Sequence, residues 1–316
     1  MLPLLTFEPI FQERVWGGRR LESLFGKALP PDVPIGESWE VSDRPGAVSV
    51  IADGSLAGRD LRWLMEQHET DLLGDVPSAD GWFPWLAKLL DASADLSVQV
   101  HPPDDSIGEP KTEAWHIAHA EPDARLIAGL KTGTSREQFE VAIGQPNFAE
   151  CLHEIPTNAG DSIFIPSGRL HALGAGTVVF EIQQNSDTTF RVFDWNRVGL
   201  DGQPRELHVD AALRSIDFGD FEPEVQSPEW QSNSGFSTYA IAEAASVFRL
   251  EQVRLETPNE TPLPGNGLRL IAVTAGELVF DGSITLKRGA FAVVPASLAN
   301  PRVAGAGAEF LLTQSP

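Results

Sequence analysis

Short runs of alternating apolar and polar residues, separated by Gly and Pro, recur along most of this chain. Several of them follow one another between residues 162 and 195, and a further series extends from Thr238 to residue 313. Runs of this length with turn residues between them are typical of β-sandwiches and β-barrels. The sequence therefore predicts a mainly β protein that contains two related barrels.

The composition changes between residues 199 and 237, where Pro, Asp, Glu and Ser become frequent. A polar stretch of this kind between two strand-rich regions favours a linker. We therefore expect an N-terminal barrel over residues 1–200, a connector over 201–237 and a C-terminal barrel over 238–316.

Two helical segments interrupt the strands of the first region. Apolar residues recur at helical spacing over residues 60–73, which predicts a helix there. Ser135 and Gln138 form a capping-box pattern, so we expect a small helical insert over residues 135–154.

Charge and hydropathy exclude several classes of function. The 316 residues carry a formal net charge of -22, which argues against binding to nucleic-acid phosphates because that needs a basic surface. The sequence has no apolar run of about 18 residues, so we expect no membrane span. An anionic substrate would need a local cluster of Lys and Arg to offset the overall negative charge.

Cysteine usage and the first residues of the chain predict where the protein works. Cys151 is the only cysteine, which rules out an internal disulfide and fits a reducing compartment. The N-terminus lacks the basic region and the small-residue cleavage site of a signal peptide. We therefore expect a cytoplasmic protein.

Polar side chains that bind metals occur in the strand-like segment 96–102. Side chains on a strand alternate between its two faces, so Gln99 and His101 point to the same side. Glu113 lies in a second strand-like segment, and His171 lies in a loop between two others. One Gln, two His and one Glu on strands or strand ends form a ligand set suited to a divalent metal. The sequence therefore predicts a divalent metal site in the first region.

The second region lacks part of this set. The Gly-Asp and Ile-Pro pairs that precede His171 are echoed by Arg288-Gly289 and Val294-Pro295, but no histidine follows Pro295. If the second region is a barrel like the first, it has lost any metal and is structural.

Four segments together form a specific signal: residues 97–102, 111–115, 165–176 and 181–195. In this order they resemble the type I mannose-6-phosphate isomerases, which are zinc enzymes built on tandem cupin barrels. Residues 13–18 and 36–42 also look like the N-terminal segment of that family. The resemblance has specific motifs from about residue 7 to residue 197 and is one of general architecture beyond them.

This resemblance implies a fold, a reaction and a set of site residues. The fold would be a tandem of cupin jelly-roll barrels. The reaction would interconvert mannose 6-phosphate and fructose 6-phosphate by proton transfer through an enediol. Arg191 would be the active-site arginine, and Lys111 would share the pocket with it. One Zn²⁺ per chain would be held by Gln99, His101, Glu113 and His171.

Three side chains are the candidates for catalytic work. The guanidinium of Arg191 can bind a sugar oxyanion or a phosphate in bidentate fashion, or it can pair with a nearby Asp. Lys111 suits phosphate binding or proton transfer. Glu181 suits orienting a ligand, moving a proton or hydrogen-bonding to a metal-binding histidine, and the sequence does not choose among these roles.

Other functions are compatible with the same residues. An isomerase of another sugar phosphate would carry a similar site, because a single epimeric hydroxyl changes specificity by only a few kcal/mol. A sugar-binding or regulatory cupin without turnover would keep the pocket. An iron dioxygenase fits poorly, since it usually wants three imidazoles, or two with a carboxylate and open positions. The expected partner is a small sugar phosphate, and the expected state is a monomer or a weak homo-oligomer.

Overall fold

The computed structural model describes residues 1–78, 80–226, 228–242 and 247–316. Within these ranges the chain is mainly β-strand, which confirms the predicted fold class, and no helix has the length and apolar character needed to cross a membrane. The helices are α1 (Arg20–Phe25), α2 (Leu61–Leu73), α3 (Arg136–Ala142) and α4 (Val209–Ser215), with 3-10 turns at Gly54–Leu56 and Phe148–Cys151.

The first thirteen strands form what we call the first sandwich. They are β1 (Ile10–Gly18), β2 (Ile35–Val41), β3 (Asp43–Arg44), β4 (Ala47–Val48), β5 (Trp85–Ala92), β6 (Val98–Val100), β7 (Glu113–Ala120), β8 (Arg125–Leu130), β9 (Leu152–Pro156), β10 (Ser162–Ile165), β11 (His171–Leu173), β12 (Thr177–Gln184) and β13 (Phe190–Phe193). A six-stranded sheet of order β1-β2-β5-β12-β7-β10 faces a five-stranded sheet of order β13-β6-β11-β8-β9, and β3 pairs with β4 alone.

The remaining strands form the second sandwich. They are β14 (Gln231–Ser232), β15 (Phe236–Ala242), β16 (Arg249–Leu255), β17 (Thr261–Pro262), β18 (Arg269–Ala275), β19 (Glu277–Phe280), β20 (Ile284–Lys287), β21 (Phe291–Val294), β22 (Arg302–Ala304) and β23 (Glu309–Gln314). Its six-stranded sheet has the order β14-β15-β16-β23-β18-β21, and its four-stranded sheet the order β17-β22-β19-β20.

Each sandwich encloses its own apolar interior. Trp115 and Val179 of the first six-stranded sheet pack with Leu126 and Leu173 of the five-stranded sheet. Because side chains alternate along a strand, the opposite face of the five-stranded sheet is free to pack with Phe139 of α3 and other helical residues. The interior of the second sandwich is apolar as well and includes Val253, Ile271, Phe280, Phe310 and Leu312.

The two six-stranded sheets also pack against each other through their outer faces. Phe180 on β12 and Phe291 on β21 belong to one shared apolar cluster, with their ring centroids 5.7 Å apart. Leu61 and Leu64 of α2 join the same cluster. Both large sheets are therefore buried on two sides, and the sandwiches share a core.

Both helical predictions for the first region identified a real helix start. Asp60 caps α2 by accepting a hydrogen bond from the Trp63 backbone N–H at 2.7 Å, and α2 confirms the helix expected over residues 60–73. The capping box at Ser135 and Gln138 is also present at the start of α3.

The predicted extent of the insert at residues 135–154 was wrong. Helix α3 ends at Ala142, because Gly144 adopts φ +74° and Pro146 disfavours a helical conformation for the residue before it. After the 3-10 turn, β9 begins at Leu152 and pairs with β8.

The connector expected over residues 201–237 contains more structure than its composition indicated. Helix α4 lies inside it and buries Ala212 and Ile216 against the first sandwich. Strand β14 and the start of β15 also fall within this range. Only some of the apolar residues of the segment pack, since Leu207 and Phe221 are exposed, and the packed ones do not stand out from the polar majority.

Candidate metal centre and pocket

Two imidazoles and one carboxylate converge inside the first sandwich. His101 directly follows β6, while Glu113 begins β7 and His171 begins β11, and their ligand atoms lie within 4.8 Å of one another. All three side chains are buried. Gln99 joins them because it stands opposite His171 in the β6–β11 pairing. The four residues predicted as ligands are thus brought together.

Backbone carbonyls fix the protonation of both imidazoles. His101 Nδ1 lies 2.8 Å from the Thr188 carbonyl oxygen, and His171 Nδ1 lies 2.9 Å from that of Arg169. A carbonyl oxygen only accepts hydrogen bonds, so each Nδ1 carries the proton and donates it. Each Nε2 therefore keeps a lone pair directed at the centre, which is the arrangement usual for metal-binding histidines.

The spacing of the ligand atoms is close to that of ligands around one small cation. His101 Nε2 lies 3.3 Å from Glu113 Oε2, and His171 Nε2 lies 3.4 Å from Glu113 Oε1. The Gln99 amide lies 3.3 Å from His171 Nε2, and a half-turn of that amide presents its oxygen to the same point. Ligands at the bond lengths usual for zinc, about 2.1 Å, stand roughly 3.4 Å apart in a tetrahedron.

The Glu113 carboxylate has the environment of a cation ligand. Within the described ranges neither of its buried oxygens accepts a hydrogen bond of good geometry, although the Lys111 ammonium lies 2.6 Å from Oε2. A buried, under-satisfied carboxylate is costly unless a cation meets it. The Lys111 ammonium meets only Oε2, so Oε1 remains beside the two imidazoles without a partner among the described residues. A donor set of two neutral imidazoles, an amide and an ionised carboxylate fits a divalent metal.

The pKa values of these groups favour the same protonation states. Burial, together with the charge of Lys111, lowers the pKa of His101 to about 4, and burial also lowers the pKa of His171. Burial opposes the charge on Glu113 and Lys111, but their mutual attraction outweighs it. This attraction lowers the pKa of Glu113 well below its usual range and raises the pKa of Lys111. At neutral pH the imidazoles are neutral and the carboxylate is ionised.

A pocket of about 560 Å³ opens beside this centre. Its wall includes Gln99, Lys111, Glu181 and Arg191, so the three predicted catalytic residues face the same space. Trp16 also lines it and is otherwise buried in the core. The pocket has the volume of a small-molecule site.

Four side chains form a row across the first six-stranded sheet, and Lys88, Glu181 and Trp115 of this row line the pocket. Trp39, Lys88, Glu181 and Trp115 are paired in register across β2, β5, β12 and β7. Glu181 accepts a hydrogen bond from Trp115 Nε1 at 2.9 Å and lies 3.3 Å from Lys88 Nζ. The Lys88 ammonium lies 5.0 Å from the centre of the Trp39 ring. The sequence interpretation missed Lys88, although a lysine within the apolar run 84–90 was a signal.

The outer end of the pocket carries three arginines. Arg14, Arg191 and Arg205 all line it. Arg191 Nη1 donates to the Glu206 carbonyl oxygen at 2.8 Å, and burial lowers the pKa of this guanidinium. Arg205 was missed in the sequence because it lies in the polar stretch assigned to the connector.

Comparison with known proteins identifies the family. The model of the catalytic domain of type I phosphomannose isomerase matches residues 4–109. The probable mannose-6-phosphate isomerase GmuF of Bacillus subtilis is 40% identical over 256 residues, which is 78% of this chain and 78% of that protein. This chain belongs to the type I phosphomannose isomerases.

Other proteins that are similar to this chain are also mannose-6-phosphate isomerases. The mannose-6-phosphate isomerase of Streptococcus mutans is 36% identical over 74% of this chain and 75% of its own length. The crystal structure of mannose 6-phosphate isomerase from Bacillus subtilis superposes with a TM-score of 0.89 at 29% identity, over 99% of this chain and 100% of that one. A mannose 6-phosphate isomerase bound with zinc and yttrium has the same fold, with a TM-score of 0.76 at 17% identity over 99% of this chain and 100% of that one.

Proposed function

We propose that this phosphomannose isomerase interconverts mannose 6-phosphate and fructose 6-phosphate. The observation that carries the proposal is the buried cluster of His101, Glu113 and His171 at the end of a pocket walled by Lys111 and Glu181. A cation-binding group that opens onto a lysine and a carboxylate suits an isomerase, which must move a proton and stabilise charge on a sugar oxygen.

We propose Zn²⁺ as the metal, held by Gln99, His101, Glu113 and His171. Two neutral imidazoles and an amide leave more positive charge on the cation than a second carboxylate would. When bound, such a cation polarises a carbonyl oxygen or lowers the pKa of a bound water. The zinc-bound neighbour of the same fold supports this choice of metal.

Glu181 is the proposed proton-moving residue, and Lys88 is the cation beside it. In the reaction a base removes the proton from C2 of the aldose and returns it to C1, while a proton passes from O2 to O1. Glu181 is a buried carboxylate that faces the pocket, and Lys88 is 3.3 Å away to offset its negative charge.

Lys111 has the features of a charge stabiliser. Its pKa is raised because the attraction of Glu113 and Glu181 outweighs the effect of burial. A lysine held in its charged form donates hydrogen bonds and is a poor base. It is therefore suited to stabilising negative charge that develops on a substrate oxygen next to the metal ligands.

The charge distribution supports a phosphorylated substrate. The chain carries a net charge of -22, yet Arg14, Arg191 and Arg205 meet at the outer end of the pocket. Guanidinium groups match phosphate oxygens in bidentate geometry. Arg14 is paired with Glu37 at 2.7 Å, so Arg191 and Arg205 supply the local offset that an anionic substrate requires, and we assign the phosphate of the substrate to them.

A coupled assay on mannose 6-phosphate, with metal content measured in the same sample, tests the proposal. The expected result is turnover, about one zinc per chain, loss of activity on exhaustive chelation and recovery on adding zinc. Zinc without turnover on mannose 6-phosphate would instead support another sugar phosphate or a binding protein. Activity that survives exhaustive chelation would overturn the metal assignment.

We keep three further proposals about the whole molecule. The chain divides into a metal-binding part over residues 1–200, a connector over 201–237 and a metal-free part over 238–316. The cytoplasmic location and the monomeric or weakly oligomeric state stay predictions.

A further inference from the structure

A short hairpin borders the pocket between β13 and α4. We call residues 194–206 the rim arm. Val198 bridges to Pro204, and the Gly199 N–H donates to the Gln203 carbonyl oxygen at 2.7 Å. These two contacts close the hairpin. Most of its residues are exposed, so the arm is a separate element on the pocket rim.

The base of the rim arm has an unusual backbone. Trp195 and Asn196 adopt φ values of +56° and +54°, a left-handed conformation that bulky L-residues rarely take. The Trp195 indole N–H donates to the Leu96 carbonyl oxygen at 2.7 Å and fixes this position. Strain of this kind persists only where the surrounding structure enforces it, and it clusters at ligand sites.

The arm presents both apolar and charged groups to the pocket. Leu200 and Arg205 line the cavity from the arm. Leu200 is 56% exposed, so about half of its side chain is open at the rim. A ligand in the pocket would cover part of this surface while it contacts Arg205.

Asp194, at the base of the arm, is committed mainly to one arginine. Its Oδ1 accepts hydrogen bonds from Arg197 Nε at 3.0 Å and Nη2 at 2.7 Å. Arg205 Nη1 reaches the same oxygen only at 3.4 Å. One carboxylate oxygen therefore serves two guanidinium groups, and Arg205 has the weaker contact.

Among the described residues, Arg191 and Arg205 both keep hydrogen-bond donors free on the pocket side of the arm, although Asp187 and Asp201 line the same pocket. Burial and the repulsion of Arg191 lower the pKa of Arg205 to about 10, despite the attraction of Asp194. Within the described ranges the buried Nε of Arg191 has no hydrogen-bond partner. Two guanidinium groups with spare donors therefore face one pocket, which is an arrangement that favours a dianion.

We propose that Arg205 exchanges its long contact with Asp194 for the phosphate group of the substrate, and that this exchange fixes the rim arm over the sugar. The inference rests on the proposed function, since it names the group that reads the phosphate end of that substrate. Binding energy from a group remote from the reacting carbons can then order the pocket around them. An ordered arm also excludes water from the site.

A comparison of two sugars tests this role. The ratio of kcat/KM for mannose 6-phosphate to that for free mannose would be measured in the wild type, in Arg205→Gln and in Arg205→Lys. We expect Arg205→Gln to lower this ratio about 50-fold, because it removes charged hydrogen bonds to the phosphate. Arg205→Lys should recover only part of it, because an ammonium lacks the planar fork.

The matched control is Arg136→Gln, which removes an exposed arginine from α3 and should leave the ratio as in the wild type. If turnover of free mannose is below detection, the fall in kcat/KM for mannose 6-phosphate in Arg205→Gln is compared with that in Arg136→Gln instead. A wild-type ratio in Arg205→Gln would overturn the inference. If the wild type turns over no sugar phosphate, the proposed function fails instead.

Hydrogen exchange provides a readout that does not depend on turnover. The amide of Gly199 would be followed with and without inorganic phosphate. We expect phosphate to slow its exchange several-fold in the wild type and to have no such effect in Arg205→Gln. If phosphate leaves the exchange of the arm unchanged in the wild type, the arm does not respond to the phosphate group.

Discussion

Two six-stranded sheets with the same strand order meet at the centre of this molecule, but only the first borders a candidate metal centre among the described residues. In the first sandwich the order is β1-β2-β5-β12-β7-β10, and in the second β14-β15-β16-β23-β18-β21. The pairing of β12 with β7 has an irregularity next to Val179, and the pairing of β23 with β18 has one next to Val273. The two sheets can therefore be aligned residue by residue.

This alignment places an arginine where the first sheet has its metal-binding carboxylate. Counted from the irregularity, Glu113 on β7 corresponds to Arg269 on β18. Their cross-strand partners are both glutamines, Gln183 and Gln314. The buried guanidinium of Arg269 donates to the Gly265 and Gly267 carbonyl oxygens of the loop that precedes it. The positive charge of Arg269 repels a metal cation, and its hydrogen bonds stabilise the loop instead.

The charged row across the first sheet is reduced in the second. Lys88, Glu181 and Trp115 correspond to Glu251, Leu312 and Ile271. Glu251 is still charged and buried, and Arg249 meets it at 2.6 Å, but its neighbours in the row are apolar. Burying charges costs free energy that apolar residues would not, so the first sheet retains a row that stability alone would not favour. The same backbone thus supports either a charged row or a largely apolar one, and the side chains decide which.

Glu113→Gln should have the largest effect. It removes the one negatively charged ligand of the proposed metal centre. We therefore expect loss of the metal and a fall in kcat/KM of at least about 1000-fold. Metal content and kinetics on the same sample check this. A variant that retains stoichiometric metal and near-normal turnover would remove Glu113 from the centre.

Arg191→Ala should separate metal binding from turnover. Arg191 faces the pocket but is not among the residues around the cation. We expect the metal to remain while kcat/KM falls about 100-fold, as for the loss of a charged group that binds substrate. Normal turnover in this variant would show that the sequence interpretation of Arg191 is wrong.

The contact between the two sandwiches should weaken in mild acid. Burial, together with the charge of Arg288, lowers the pKa of His116 to about 4, and its Nδ1 lies 3.0 Å from Ser162 Oγ, which contacts the Tyr239 hydroxyl of the second sandwich at 3.1 Å. Because the unfolded chain binds this proton more readily, stability is complete above the unfolded pKa near 6.5 and declines as pH falls towards 4.

Urea unfolding at pH 7 and pH 5 measures this effect. From pH 7 to pH 5 we expect His116 to contribute a loss of about 2 kcal/mol in the free energy of unfolding. His116→Asn cannot titrate and should show a correspondingly smaller loss between the two pH values. Equal pH dependence in the two proteins would exclude His116 as a source of acid sensitivity.

Arg269→Gln should have the smallest effect on catalysis. It alters the position equivalent to Glu113, but in the sandwich that has no metal-binding cluster among the described residues. We expect a stability loss of about 1 kcal/mol from the lost loop contacts and unchanged metal content and kinetics. A large loss of activity would mean that the second sheet contributes to the site.

The sequence was a good guide to whatever depends on local pattern. Alternation and turn residues predicted the strand-rich regions at 162–195 and from residue 238 onward, and the pair Ser135 and Gln138 predicted a helix start. The missing histidine after Pro295 was an early sign that the two halves differ.

The predictions failed where another constraint outweighed the local pattern. Gly144 and Pro146 end α3 early. The burial of Ala212 and Ile216 stabilises a helix inside a polar segment.

The site was less predictable because it depends on pairing between distant strands. Gln99, His101, Glu113 and His171 were found because each stands in a recognisable motif. Lys88 acquires its place only from the register between β5 and β12. Arg205 acquires its place from the fold of the rim arm. The sequence neighbours of Lys88 and Arg205 therefore do not indicate where these two side chains lie.

Anomalous X-ray diffraction at the zinc edge, on crystals of the protein grown with zinc, would locate the proposed cation. We expect one peak per chain, about 2.1 Å from His101 Nε2 and His171 Nε2 and in contact with Glu113. We expect no peak beside Arg269. A first sandwich without a peak, or a peak beside Arg269, would show that the metal does not distinguish the two sandwiches in this way.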